Sequence, residues 1–203
     1  YRAGLPYTLA RYHSGRSAHR VLWKEKSRVQ IDLNGIAQGY TVDLLAEFIE
    51  SKAIYNYLVE VGGEIRIKGK KYPAGEPMKL GIEAPSNEDL QQTVLQRIIQ
   101  PPAGAITTSG NYRKFHQSGG KRISHLINPL TGYPFSNELI SVTVYAQQAI
   151  IADGYDNALM GMGLTHALQF MRKHPEMEAY FIYHKADGTI GDTATVGFRK
   201  MFL

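Results

Sequence analysis

The sequence predicts an α+β domain, a mainly antiparallel sheet packed with a few helices, and three observations carry that prediction. Short alternating segments are joined by glycine-bearing turns, as where Gly62-Gly63 separates Tyr57–Val61 from Glu64–Lys68. Only a few stretches keep helical periodicity. The βαβαβ alternation and the glycine fingerprint of a dinucleotide-binding doubly wound fold are both missing. A chain of 203 residues and 22.7 kDa with 43% hydrophobic residues can bury one good core, which predicts one domain.

Taken in order, residues 29–33 alternate and end at a glycine-bearing corner, predicting a strand that delivers Asp32 to a loop just before Asn34-Gly35 opens a helix. From 38 to about 52, Val42, Leu45, Phe48 and Ile49 follow helical spacing, with Gln38, Asp43, Glu47 and Glu50 interleaved. The Tyr57–Lys68 hairpin follows, then a loop over 70–77 that carries Pro73, Gly75 and Pro77. Short strands are predicted at 79–83, 94–99 and 105–108, and a second hairpin over 112–116 and 122–127 around Ser118-Gly119-Gly120. Residues 129–134 are turn-rich, and 138–146 alternate as a buried strand. A helix over 148–162 ends at Gly163 as a C-cap, and a second over 165–173 stops before Pro175. Strands at 177–184 and 195–202, around an Ala186-Asp187-Gly188 turn, finish the chain.

Composition narrows the function classes. There is no cysteine, which excludes disulfides, thiol catalysis and thiolate metal sites and fits periplasm and cytoplasm alike. No apolar run reaches the length of a membrane helix, and nothing resembles a signal peptide. The chain opens at Tyr1 without an initiator methionine, as expected of a processed product or a fragment. The net charge of +5 is local: residues 1–28 hold seven basic residues against Glu25, net +6, and the remainder is net −1. A basic arm of this kind can meet a phosphate or an anionic surface and is more often a solvated edge or connector; no nucleic-acid signature accompanies it. The expected organisation is therefore a basic segment at 1–28 and one domain at 29–203.

The densest chemistry lies in Ala152-Asp153-Gly154-Tyr155-Asp156-Asn157-Ala158. On a helix, Asp153, Asp156 and Asn157 share one narrow stripe, because i, i+3 and i+4 lie on one face. Two carboxylates so close repel unless a cation sits between them. Hard oxygen donors without cysteine or paired histidine suit Mg2+ or Ca2+, not zinc. Taken alone the motif also fits an acidic patch on a solvated helix.

That motif is the last of an ordered series. Ile31-Asp32-Leu33-Asn34-Gly35-Ile36-Ala37-Gln38-Gly39-Tyr40 with Asp43 comes first, then Tyr57-Leu58-Val59-Glu60-Val61-Gly62-Gly63-Glu64-Ile65 and Thr107-Thr108-Ser109-Gly110-Asn111-Tyr112-Arg113. Ser124-His125-Leu126-Ile127-Asn128-Pro129-Leu130-Thr131-Gly132-Tyr133-Pro134 and Ser141-Val142-Thr143-Val144 precede it. In this order the segments resemble the ApbE family of FAD:protein FMN transferases, from about Val29 to the C-terminus.

The resemblance implies a set of roles. Asp32, by itself an N-terminal cap, matches an aspartate that contacts FAD, and Gln38 stands where many relatives have Lys or Glu near the cofactor. The backbone carbonyl of Gly35 matches a metal ligand, as do Asp153 and Asp156; Asn157 replaces the usual Thr and also offers a neutral oxygen. The segment of His125 and Ile127 lies against the bound flavin, with Ile127 an apolar cofactor contact and His125 the candidate catalytic side chain. Asn128 replaces the usual Asp, which removes a general base there. Gly62-Gly63-Glu64 and Thr108-Ser109-Gly110 read as architectural turns, and the other histidines as surface residues.

The implied reaction is Mg2+-dependent transfer of FMN from FAD to a Thr or Ser hydroxyl of an acceptor protein, with release of AMP. The implied acceptors include subunits of ion-translocating NADH:quinone oxidoreductases. The implied location is periplasmic, or membrane-anchored on the periplasmic side. Two rivals remain: an Mg2+-dependent FAD pyrophosphatase yielding FMN and AMP, and a flavin-binding module that no longer reacts. Family members carry a substantial segment before the Asp32 motif, so this chain is expected to hold only part of the cofactor pocket.

Overall fold

The computed structural model describes residues 10–13, 21–24, 32–83, 95–110, 115–118, 121–124, 126–128 and 131–203. In chain order these form β1 (Ala10–His13), β2 (Val21–Lys24), α1 (Asn34–Ser51), β3 (Tyr57–Val61), β4 (Glu64–Lys68), β5 (Leu80–Glu83) and β6 (Leu95–Ile99). There follow β7 (Gly104–Gly110), β8 (Phe115–Ser118), β9 (Lys121–Ser124), β10 (Leu139–Ala146), α2 (Ala149–Met162) and α3 (Leu164–Met171). The chain closes with β11 (Glu178–His184), β12 (Ile190–Ala194) and α4 (Val196–Arg199). Six strands make one antiparallel sheet in the order β12-β11-β10-β7-β4-β3, and β1-β2, β5-β6 and β8-β9 are separate two-stranded ribbons. The α+β class predicted from hairpins and sparse helices is the class observed.

Strand β10 is the spine of the sheet, and every one of its residues is buried. Both faces are therefore covered, and alternation sorts the side chains between two cores. Val142, Val144 and Ala146 pack with Phe181 of β11 and with Ala152, Leu159 and Met160 of α2. Tyr145, Tyr180 and Ile182 pack on the other side with Phe198, Met201 and the β5-β6 ribbon. A third cluster joins Val42 and Ala46 of α1 to Tyr57 and Val59 of β3 and to Ala149 at the start of α2.

The face that α1 buries differs from the expected one. Val42 is fully buried, but Leu45 and Phe48 are exposed while Gly39, Asp43 and Ala46 are buried. The reason is the neighbour: α1 lies directly along α2, and at their closest approach any Cβ on Gly39 would collide with the Ala149 carbonyl. Small residues, not large apolar ones, line that seam.

Residues 195–202, expected as a strand, also differ. Strand β12 ends at Ala194, and α4 is a single turn held by a tertiary contact. The Glu178 carboxylate accepts hydrogen bonds from the Thr195 hydroxyl and the Phe198 N–H, and the turn drops Phe198 fully into the core. Strand β9 stops at Ser124; Ile127 instead forms an isolated bridge with Pro134. Most of the basic 1–28 segment and residues 29–31 of the expected first strand lie outside the described residues.

Candidate functional site

A cleft of about 1130 Å³ opens where the N-terminal turn of α1, the β3–β4 turn and the middle of α2 meet. Asp32 lines it, but the N-cap position of α1 is Leu33 and carries no side-chain cap. Asp32, expected as the cap, instead accepts the Asn34 N–H at 2.9 Å in an Asx turn one residue earlier. Gly35 and Gln38 line the cleft one and two turns further along. The Gln38 carboxamide lies over Gly62, whose φ of 67° and missing side chain together let the β3–β4 turn pass beneath it.

The acidic stripe of α2 faces inward. Asp153 is 4% exposed and Asp156 only 1%, so neither is the solvated patch that the motif taken alone would allow. Asp153 Oδ2 accepts the Gly39 N–H at 2.8 Å. Burial raises the Asp153 pKa above the ordinary carboxylate value, opposed by that hydrogen bond. Asp156 is pushed up further, first by burial and then by the charges of Asp153 and Glu64. The nearby Thr107 hydroxyl opposes this shift, yet Asp156 Oδ1 and Thr107 Oγ1 are both buried without completing a hydrogen bond. A buried carboxylate oxygen without a partner is expensive, and a cation in the cleft would relieve it.

Asn157 completes the stripe. Its Oδ1 accepts the Ser109 hydroxyl at 2.9 Å and its Nδ2 donates to the Asp153 carbonyl at 3.2 Å. A Cβ placed on Gly35 would lie 3.7 Å from that Nδ2, so the fold brings Gly35, 122 positions earlier, beside the α2 stripe. Among the described residues no three His, Asp or Glu side chains are grouped to hold a metal. A cation here would rely on two carboxylates and neutral oxygens, the donor set of Mg2+, which keeps much of its shell for water and phosphate. The residues present fit such an ion.

The fold thus gathers Asp32, Gly35, Gln38, Asp153, Asp156 and Asn157 around one cleft. Ile127 is half-exposed and does not line it, whereas its neighbour Leu126 does. His125 lies outside the described residues. Three polar groups at the site were read from sequence only as architecture or not at all: Glu64, Ser109 and Thr107. The hairpin register carries a signal for Glu64, since pairing Val61 with Glu64 puts the carboxylate on the face of Tyr57 and Val59, toward the helices.

With this geometry in place, comparison with known proteins settles the family. The ApbE family matches residues 5–181. The chain belongs to the ApbE family. An FAD:protein FMN transferase of Vibrio cholerae is 44% identical over 142 residues, covering 70% of this chain and 41% of that protein. One from Salmonella typhimurium is 35% identical over 173 residues, 85% of this chain and 48% of that protein. The solved flavin transferase ApbE from Vibrio cholerae superposes with a TM-score of 0.76 at 36% identity, over 89% of this chain and 55% of that one. The apo flavinyl transferase ApbE of Pseudomonas stutzeri gives the same TM-score at 34% identity, covering 89% and 54%. This ApbE-family chain spans about half the length of the curated relatives it matches.

Proposed function

We propose that this chain carries the cation half of an FMN-transfer site that moves FMN from FAD to a Thr or Ser hydroxyl of an acceptor protein. The observation that carries the reading is the buried Asp153–Asp156 pair, with an orphaned Asp156 oxygen, opening into a cleft of about 1130 Å³. The names of the relatives, FAD:protein FMN transferase, supply the reaction class. In the transfer, the acceptor oxygen bonds to the FMN-side phosphorus, the pyrophosphate bridge breaks, the hydroxyl proton is released and AMP departs.

Asp153, Asp156, the Gly35 carbonyl and Asn157 would hold Mg2+. When bound, Mg2+ supplies charge neutralisation for the phosphates and the leaving AMP. Asp32 and Gln38 would hydrogen-bond the dinucleotide in the cleft. Ile127 stands outside the lining, and the apolar contact expected of it falls to its neighbour Leu126. Asn128 cannot take a proton as a carboxylate would, which leaves His125 as the proton acceptor in that segment. The body at 29–203 would do this chemistry with the basic 1–28 segment as its flank. The acceptor is a flavoprotein subunit of the kind found in ion-translocating NADH:quinone oxidoreductases, met on the periplasmic side. Among the described residues no helix is long and apolar enough to cross a membrane.

Incubation of the full-length protein with FAD, Mg2+ and an acceptor subunit tests this by mass spectrometry. The expected result is an acceptor heavier by one FMN, with AMP released in equal amount. Rapid multiple-turnover release of free FMN without acceptor would instead make the site a pyrophosphatase.

A further inference from the structure

Gly39 and Asp43 stand one turn apart on α1, and Ala149 and Asp153 stand one turn apart on α2. These two turns exchange carboxylates crosswise. Asp153 Oδ2 accepts the Gly39 N–H at 2.8 Å. In return Asp43 Oδ1 accepts the Ala149 N–H and its Oδ2 the Ile150 N–H, both at 2.9 Å. Gln148, at the N-cap position of α2, makes no side-chain cap hydrogen bond. The first free donors of α2 are therefore satisfied by a carboxylate 106 residues earlier in the chain. Arg66 Nη1 lies 2.6 Å from Asp43 Oδ1, so the buried carboxylate is held by three donors and its charge is balanced.

We infer that Asp43 is a positioning residue for the cation site: its clasp on α2 sets the register of α1, and with it the place of the Gly35 carbonyl relative to Asp153, Asp156 and Asn157. Gly35 sits one turn before Gly39, against Asn157. A slip of α1 by one residue would move that carbonyl about 1.5 Å. Metal–oxygen distances tolerate only about 0.2 Å, so even a small part of such a slip removes a ligand. Asp43 does not line the cleft, so its effect would pass through the register of the two helices. The inference rests on the reading of the stripe as an Mg2+ site.

Titration calorimetry with Mg2+ alone, on wild type and four variants at a temperature where circular dichroism shows each folded, tests it. Asp43→Ala should weaken Mg2+ binding about tenfold or more, the usual effect of removing an outer-shell partner. Asp43→Asn should weaken it less, because one amide oxygen still caps one N–H. Arg66→Gln leaves both cap bonds and should hold the affinity within about twofold while lowering the unfolding midpoint. A purely structural role would lower the midpoint in all three variants and the affinity in none. Folded Asp43 variants with wild-type Mg2+ affinity overturn the inference, and if Asp43→Ala does not fold, Asp43→Asn decides. Asp153→Ala should bind no Mg2+. If it binds as wild type does, or if wild type binds none, the metal reading fails and the inference falls with it.

Discussion

Two buried carboxylate corners face each other across the α1–α2 seam, and they are built to opposite plans. At one, Asp43 accepts two backbone N–H groups and an Arg66 guanidinium, so every strong donor it needs is supplied by the protein. At the other, Asp153 takes one N–H, Asp156 keeps an oxygen without a partner, and the charge of Glu64 stands close by. The carboxylates of both corners are buried, so burial does not distinguish them. The difference is whether the fold balances the charge. A buried carboxylate that is fully partnered is costly to disrupt, and one left short of partners is where a cation would lower the cost of burial.

The largest expected effect breaks the unbalanced corner. Asp153→Ala should lower Mg2+-dependent FMN transfer at least about a hundredfold, since a catalytic metal contributes several kcal/mol. Steady-state turnover with and without Mg2+ checks this, and a folded variant with wild-type turnover would remove Asp153 from the site. Next in size is the balanced corner. Asp43→Ala deletes a helix cap and leaves Arg66 facing an uncompensated pocket, which should cost about 2–3 kcal/mol in urea unfolding. A loss near zero would mean that the clasp contributes nothing to stability.

The pH dependence sharpens the contrast. Asp153 and Asp156 have folded-state pKa values raised above the ordinary 3.8 by burial, so the metal-free folded chain holds protons that the unfolded chain releases. Their contribution is fully present below that ordinary value and is lost as pH rises through the raised values. In chelator, the stability of wild type relative to Asp156→Asn should therefore fall as pH rises from the acid side toward neutrality. Groups shifted the other way, such as Asp192 beside Tyr180 and Arg97, cancel in that difference. A relative stability that rises with pH would contradict the assignment. The smallest effect is the control: Lys68→Met removes an ion pair to Glu50 whose lysine is 40% exposed, and the urea midpoint should not move measurably.

What the sequence makes legible follows the range of the forces involved. The Tyr57–Lys68 hairpin and the helix ending at Gly163 are written in local signals, a glycine turn and a periodic run with a C-cap, and both stand where expected. The acidic stripe of α2 was legible for the same reason: Asp153, Asp156 and Asn157 lie within five residues, and all three line one cleft. Asp43 reads from the sequence as a polar residue interleaved along α1 and a member of the Asp32 motif. Its clasp is not legible, because its partners Arg66, Ala149 and Ile150 lie far along the chain. Leu45 and Phe48 were assigned to the core by spacing, yet the seam with α2 selects for Gly39 and Ala46. The single turn α4 was hidden by the β-prone pattern of Val196 and Phe198 and is imposed by the Glu178 carboxylate.

The most direct measurement is the thermal unfolding of wild type and Asp156→Asn, each in chelator and in millimolar Mg2+. If Asp156 is a carboxylate held short of partners for a cation, Asn at this position removes the cost of burying a carboxylate, whether that cost is met by charge or by an added proton. The variant should then melt higher than wild type in chelator and gain nothing from Mg2+, while wild type gains markedly. A variant that melts lower than wild type in chelator and is still stabilised by Mg2+ would contradict the account.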